Sequence, residues 1–260
     1  MSAGATASRQ SIPAPPSRSR GLLRRHSTMP LVIAAALLAT YLWVRTLDLD
    51  AIEQRSLNAE HLLRVTRQHI SITVMTALLV VAIAGSAGIL LTRPALRWLA
   101  PYATALANVG QAMPAIGLLV LLSIWLGIGA TTALTGLVAY AVLPVLSNTI
   151  VGINQVDRSL IEAGRGIGMS PFAVLVRIEL PLAVPVILAG VRTALVLAVG
   201  VATLATFINA GGLGSLIVTG IKLQRDPVLI TGAVLTGALA LTLDWLGGVV
   251  ADLLRPRGLD

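Results

Sequence analysis

Long apolar runs, separated by short polar segments, dominate the pattern of this sequence. The runs 70–92 and 193–219, for example, contain no charged residue. A helix of about 20 apolar residues is long enough to cross roughly 30 Å of hydrocarbon. The pattern therefore predicts an all-α, polytopic helical membrane protein.

Six membrane-spanning helices are predicted, at about 30–44, 70–92, 98–127, 130–150, 183–207 and 228–251. The first run is short for a span, but no small-x-small cleavage site ends it, which favours a retained helix over a cleaved secretory signal. Around the core at 70–252, we expect a disordered basic tail (1–27), the first helix with a charged outer linker (28–69) and a terminal tail (253–260).

Composition supports this class, because only 12% of the 260 residues are charged and the mean hydropathy is +0.87. A soluble domain carries roughly twice that charge. In a membrane protein an excess of Lys and Arg usually reflects orientation in the membrane. The net charge of +8 therefore needs no nucleic-acid partner to explain it, and none is expected. With both termini in the cytoplasm, twelve Lys and Arg residues fall inside and six outside, as the positive-inside rule requires. This orientation places the charged segment after the fourth span in the cytoplasm.

Catalytic chemistry is not indicated by the residue types present. The chain has no cysteine, which excludes disulfides, cysteine-ligated zinc and thiol catalysis. His26, His61 and His69 lie outside or at the edge of the predicted spans and Asp244 is the lone deep acid, which disfavours an intramembrane hydrolase. The Gly-rich GRGIG follows no strand and precedes no GK[ST], so this chain is not expected to bind ATP. We expect no catalytic residue, no metal and no bound cofactor.

The polar segment after the fourth span predicts two short helices joined by a turn. Asp157 or Ser159 can cap the first helix, and Gly168 suits a left-handed stop. The Ser-Pro pair at 170–171 is typical of a helix start, and the Leu-Pro pair at 180–181 is expected to end the second helix. The second helix carries an apolar stripe at helical spacing, formed by Phe172, Leu175, Val176 and Ile178. This face requires a cover, either from this chain or from a partner.

Residues 162–181, here called the EAA segment, resemble the coupling loop of ABC importer permeases. The family pattern is EAA, three residues, Gly, nine residues, then I-x-L-P, and only Gly164 departs from it by replacing the second alanine. The resemblance implies that the segment docks into a groove of a cytoplasmic ATPase subunit. The matching residues are Glu162, Ala163, Gly164, Gly168, Ile178, Leu180 and Pro181.

Four further stretches are similar to permeases for osmoprotectants, within a resemblance that covers roughly residues 65–252. They are ANVGQAMPAIGLL (107–119), LPVLSNTIVGI (143–153), LPLAVPVILAGVRTAL (180–195) and FINAGGLGSLIVTGI (207–221). Asn209 and Ser215 depart from the Gly and Asp expected there, which leaves the solute open. The implied function is the permease subunit of an ATP-driven importer for glycine betaine, carnitine, choline or a similar solute. Permeases for methionine or sulfonates share the loop but fit these stretches less well.

The same resemblance implies several partners in a cell membrane. ATP and Mg would bind a separate ATPase subunit, and about six spans require a second permease subunit, identical or homologous, to enclose a pathway. Quaternary ammonium groups are typically held by aromatic cages, and 3% aromatic residues are too few for one, so recognition would fall to an extracytoplasmic binding protein. A secondary transporter is the alternative outside this class, but neither coupling-ion carboxylates nor a second related half is evident.

Interruptions of the spans indicate candidate residues of the translocation pathway. Asn108, Gln111 and Pro114 break the third span, and irregular backbone at membrane depth is tolerated only inside protein or along a watery cavity. The alternative is that the amides form hydrogen bonds between packed helices. Asn209 begins the glycine loop, residues 209–215, which suits an outer gate, a contact for a binding protein or a plain turn.

Arg192 and Asp244 are the only charges well inside the last two predicted spans. An ion pair would lower the cost of burying either charge, so structural pairing is the first interpretation, ahead of a role in gating.

Overall fold

The computed structural model describes residues 18–254, with side chains described from residue 27, and this range contains helices and no strand. Residues 1–17 and 255–260, which hold most of the two predicted tails, lie outside it. The helices are α1 (Arg18–Arg45), α2 (Ala51–Ser56), α3 (Ala59–Leu91), α4 (Arg97–Ala112), α5 (Ala115–Leu126), α6 (Ala130–Asn154), α7 (Arg158–Gly166), α8 (Pro171–Ile208), α9 (Gly214–Leu223) and α10 (Asp226–Leu254).

Five of these helices are long and apolar enough to cross a membrane, and a sixth span results if α4 and α5 are counted as one. The five are α3, α6, α8, α10 and the Ser27–Arg45 part of α1. The prediction of an all-α polytopic membrane protein with about six spans is confirmed.

Several boundaries differ from those predicted. Helix α1 already includes Arg18, inside the expected disordered tail, because the Leu and Arg residues before the span favour continuation of a helix that the span has nucleated. Helix α3 begins at Ala59 within the expected linker, where the Asn58 side chain accepts a hydrogen bond from the His61 N–H at 2.8 Å. The connection between the fifth and sixth predicted spans also contains a helix, α9, which was not predicted from the sequence.

The Leu-Pro pair at 180–181 does not end a helix, contrary to the prediction. Helix α8 passes through it, with a π-helical turn over Leu175–Glu179 followed by regular α-helix over Leu180–Leu204. Proline lacks the N–H that an α-helix needs and its ring clashes with the carbonyl four residues earlier. The wider π turn immediately before Pro181 relieves that clash, so the second helix of the EAA segment and the following span form one rod.

Proline does break the third predicted span. Met113 is extended, with φ −73° and ψ 140°, as the residue before a proline prefers, and α4 and α5 meet at a bend of 99°. The expected interruption therefore lies at Met113–Pro114.

Helix α8 is the centre of the bundle and packs against α3, α6 and α10. One apolar cluster joins α3, α4, α6 and α8, and a second joins α5, α6 and α8 around Leu119 and Leu137. At the α6–α8 crossing, a Cβ on Gly190 would lie 2.6 Å from the Pro144 carbonyl oxygen. Small residues of this kind let membrane helices approach closely.

Ion pairs connect the polar segments at the two ends of the bundle. At the end that carries the EAA segment, Arg93 pairs with Glu179. At the end that carries the glycine loop, Arg225 pairs with Asp50 at 2.8 Å. Segments that the charge count assigned to the same side of the membrane thus lie at the same end.

Replacing Gly190 with alanine should destabilise the bundle, because the added methyl group meets backbone rather than a movable side chain. We expect a loss of about 1–3 kcal/mol, measured as a lower midpoint of thermal unfolding in detergent. Gly200→Ala is the matched control on the same helix, because a Cβ there has nothing within 4 Å. Equal midpoints for the two variants would contradict the close α6–α8 crossing.

Candidate functional site

The first half of the EAA segment is a short helix with defined caps. Asp157 accepts a hydrogen bond from the Ser159 N–H at 2.9 Å, which lowers the pKa of the Asp157 carboxyl and keeps it ionised at the helix start. Of the two predicted caps, the structure uses Asp157. Gly168 follows the helix with φ +87°, and the Met169 N–H reaches back to the Gly164 carbonyl at 3.1 Å. This is the left-handed stop predicted for Gly168.

The second half begins at a Ser-Pro cap and folds back onto the first. The Ser170 hydroxyl accepts from the Ala173 N–H at 3.2 Å, with Pro171 in the first turn, as predicted. A Cβ on Gly164 would lie 2.6 Å from Ile178 Cδ1. The residue that departs from the family pattern therefore packs against another residue of the same pattern, and the two halves of the motif form one hairpin.

This hairpin exposes apolar side chains beyond the bundle. Ile167 is 81% exposed and Phe172 is 74% exposed, and Glu162 and Ala163 lie on the exposed surface of α7. Val174 is buried beneath them and holds the hairpin together. The arrangement offers a firm, partly apolar surface with charged neighbours.

An acid that the sequence analysis missed anchors this surface. Glu179 is only 5% exposed, and one of its carboxylate oxygens accepts from Arg93 Nη2 at 2.5 Å. Arg93 follows the end of α3, so the pair fastens the start of α8 to a different span. The sequence signal that could have revealed Glu179 is an acid directly before the Leu-Pro pair. A charge buried at that position without a partner would be costly, so a partner was to be expected.

Gln111 has a specific structural partner. Pro144 has no N–H, so the carbonyl of Tyr140, four residues earlier on α6, lacks its helical donor. The Gln111 side-chain amide donates to that carbonyl at 3.1 Å across the α4–α6 contact. This geometry corresponds to the alternative of a hydrogen bond between packed helices, in which the amide replaces a bond that proline removes.

The other candidates for the pathway do not converge on one polar site. Asn108 is exposed and donates to the Thr104 carbonyl of its own helix at 3.0 Å. Pro114 is exposed at the 99° bend. Asn209 is exposed in the left-handed region at φ 61°, where it ends α8, a conformation that asparagine tolerates well. Lining of a pathway by these residues stays a prediction.

Arg192 and Asp244 lie in contact between α8 and α10. The Arg192 Nε and Nη2 groups donate to the two carboxylate oxygens of Asp244. Gly247 and Gly248 lie against the same arginine, and both charged residues border an open cavity of about 490 Å³. The two groups thus have the bidentate geometry of a strong pair, and a gating role stays a prediction.

His69, expected outside or at the edge of the predicted spans, lies inside the long helix α3. It is fully buried within α3, which extends eleven residues further toward the N-terminus than the predicted span. Its ring contacts both α8 and the glycine loop.

The role of Gln111 can be tested by a double-mutant cycle with Pro144. We expect Gln111→Leu to cost about 1–3 kcal/mol of stability, because the Tyr140 carbonyl is left without a donor. Pro144→Ala restores the backbone N–H, so the same Gln111→Leu change should cost much less in that background. The measurement is thermal unfolding of the four variants in detergent, and equal costs in both backgrounds would contradict the assigned role.

Comparison with known proteins places this geometry in a family. Residues 84–257 match the family described as binding-protein-dependent transport system inner membrane component. The chain is 39% identical over 202 residues to the choline transport system permease protein OpuBB of Bacillus subtilis (strain 168), covering 78% of this chain and 92% of that one. It is 37% identical to the osmoprotectant import permease protein OsmY of Salmonella typhimurium over 215 residues, covering 83% and 89%.

A solved structure has the same fold. The chain resembles a subunit of the MetNI methionine ABC transporter in an inward-facing conformation, with a TM-score of 0.66 and 24% identity over 75% of this chain and 96% of that one. At that identity the likeness shows the fold alone. The family match and the high coverage of the permease relatives show that this multi-pass membrane protein belongs to the binding-protein-dependent transport system inner membrane components.

Proposed function

We propose that this chain is the permease subunit of an ATP-driven importer for small osmoprotectants such as glycine betaine, carnitine or choline. The observation that carries the proposal is the exposed, capped hairpin of the EAA segment in a chain whose permease relatives are named for choline, carnitine and osmoprotectant transport. The chain itself performs no covalent chemistry.

The EAA segment is the surface that docks a cytoplasmic ATPase, which binds ATP and Mg. Helix α8 has 38 residues and is about 57 Å long at 1.5 Å per residue, well beyond the roughly 30 Å hydrocarbon core. Its first turns therefore project into water, where Ile167 and Phe172 need a partner. Both termini lie on the same side as this segment, the cytoplasmic side.

Two permease subunits enclose the pathway, and an extracytoplasmic binding protein delivers the solute to the end that carries the glycine loop. Asn108, Gln111, Pro114 and Asn209 remain candidates for the pathway lining in that assembly. For Gln111, the packing role described above is the better supported. Closure of the ATPases moves the hairpin, and the continuous α8 carries that movement through the membrane.

Uptake of labelled solutes tests the proposed substrate class. Cells deleted for this gene and then complemented should take up glycine betaine, carnitine or choline, more strongly at high osmolarity. Methionine and taurine serve as controls in the same cells. If the cells took up only methionine or taurine, the assignment as an importer would stand but its substrate class would be wrong. Uptake of none of these solutes would contradict the proposal.

The docking role of the EAA segment can be tested separately with two glycines. Gly168→Ala should reduce uptake and co-purification of the ATPase, because alanine is strained at φ +87° and would reshape the hairpin. Gly166→Ala, two residues earlier, is the matched control, because its φ is ordinary and a Cβ there has nothing within 4 Å. Glu162→Lys should likewise abolish uptake without loss of membrane insertion. Undiminished uptake in both Gly168→Ala and Glu162→Lys would contradict docking at this segment.

A further inference from the structure

His69 uses both ring nitrogens inside the bundle although the proposed function assigns it no role. Its Nδ1 accepts a hydrogen bond from the Leu213 N–H at 3.2 Å, and its Nε2 lies 3.2 Å from the Val199 carbonyl oxygen. A backbone N–H only donates and a carbonyl only accepts, so these two partners fix the ring as the neutral form with the proton on Nε2. The ring is 0% exposed.

These contacts join three elements that are distant in sequence. His69 lies on α3, Val199 lies in the last third of α8, and Leu213 belongs to the glycine loop. The adjacent Gln68 adds a second bond to the loop, because its Oε1 accepts from the Gly212 N–H at 3.3 Å. Helix α3 therefore holds the loop through two successive backbone N–H groups.

The loop is shaped to reach the histidine. Gly211 and Gly212 have φ values of +78° and +87°, and a Cβ on Gly212 would lie 2.9 Å from His69 Nδ1. Leu213 follows with a fully buried side chain that packs against Val65 and Leu216. Hydrogen bonds and apolar contacts thus fix the loop in the same place.

The fixed loop forms part of the rim of an open cavity. Ala210 lines a cavity of about 580 Å³ together with Arg67 and Gln68 of α3 and Ala130 at the start of α6. The cavity lies at the end of the bundle opposite the EAA segment. Any movement of the loop changes the shape of this opening.

We propose that His69 is a positioning residue that makes α3, the far end of α8 and the glycine loop move as one body, and so sets the rim of this opening. The inference deepens the proposed function and rests on it in one respect, that the opening admits the solute. Movement that begins at the EAA segment then reaches the rim through α8 and the Val199 carbonyl. Without the hydrogen bonds to His69, the flexible glycine loop would not follow the movement of α8.

Substitutions that keep one of the two hydrogen bonds test the role of the ring. His69→Asn places an amide oxygen near the Nδ1 position and loses the donor to Val199, whereas His69→Gln places an amide nitrogen near the Nε2 position and loses the acceptor for Leu213. His69→Leu loses both. If the proposal is correct, the loop detaches in the Gln and Leu variants and stays attached in the Asn variant.

The natural absence of cysteine makes the loop easy to label. A spin label on Ala210→Cys reports loop mobility, and a label on Ala130→Cys, across the same cavity and remote from the ring, is the control. The detached population at position 210 should rise about tenfold in His69→Gln, which corresponds to about 1.4 kcal/mol, with no change at position 130. Equal mobility at position 210 in the Asn and Gln variants would overturn the proposal, and this comparison does not require the Leu variant to fold.

Uptake by the complete transporter, without labels, tests the transport part. His69→Gln should raise the apparent KM for the solute several-fold at similar amounts of protein in the membrane, because the loop detaches. His69→Asn should keep the KM near that of the unsubstituted transporter, because the loop stays attached, but should lower the maximal uptake rate, because the bond to the Val199 carbonyl is lost. A mobile loop with unchanged KM would overturn the role of the opening in solute entrance. Failure of the proposed function is distinguishable, because the unsubstituted transporter would then take up no osmoprotectant while the label results would still stand.

Discussion

The requirement that every backbone N–H and C=O find a partner in hydrocarbon is the constraint on which this structure depends. Proline removes a backbone N–H donor at several points in the spans, and three of these prolines are accommodated in three different ways. At Pro144 the Gln111 amide donates to the orphaned Tyr140 carbonyl from another helix. At Pro181 a π-helical turn lets the helix continue. At Pro114 the helix breaks and the chain turns by 99°.

The continuity of α8 follows from the second of these solutions and determines what the subunit can do. One helix begins in the EAA hairpin, crosses the bundle and ends at the glycine loop, and it packs against three other spans on the way. Contacts to α3 and to the residues directly after it lie near both ends of α8, through Glu179 with Arg93 and through Val199 with His69. A helix held at two points by the same neighbour moves with that neighbour as a unit, because packed helices slide or rotate rather than bend.

Local signals predicted local structure well. The Ser-Pro cap, the left-handed Gly168 and the break at Pro114 each depend on one or two residues and their own backbone, so the sequence was sufficient. The continuation through Pro181 was missed because a proline after leucine has the same local signal whether the preceding turn is α or π. The roles of Glu179 and His69 were missed because their partners are 86 and at least 130 residues away. Pairing over such separations is set by how helices pack, which no local pattern contains.

Exposed apolar side chains occur in two different environments on this molecule. Leu106, Ile124 and Trp125 on α4 and α5 are each at least 70% exposed, but they belong to the predicted membrane part, where lipid or a second subunit covers apolar side chains at little cost. Ile167 and Phe172 are equally exposed on a hairpin that the proposed topology places beyond the hydrocarbon, where water is the alternative to a partner. The hydrophobic effect therefore favours association at the hairpin far more than on the sides of α4 and α5. An apolar face that is firmly capped, anchored by a partly buried ion pair and, in the proposed topology, directed into water has the properties of a docking surface.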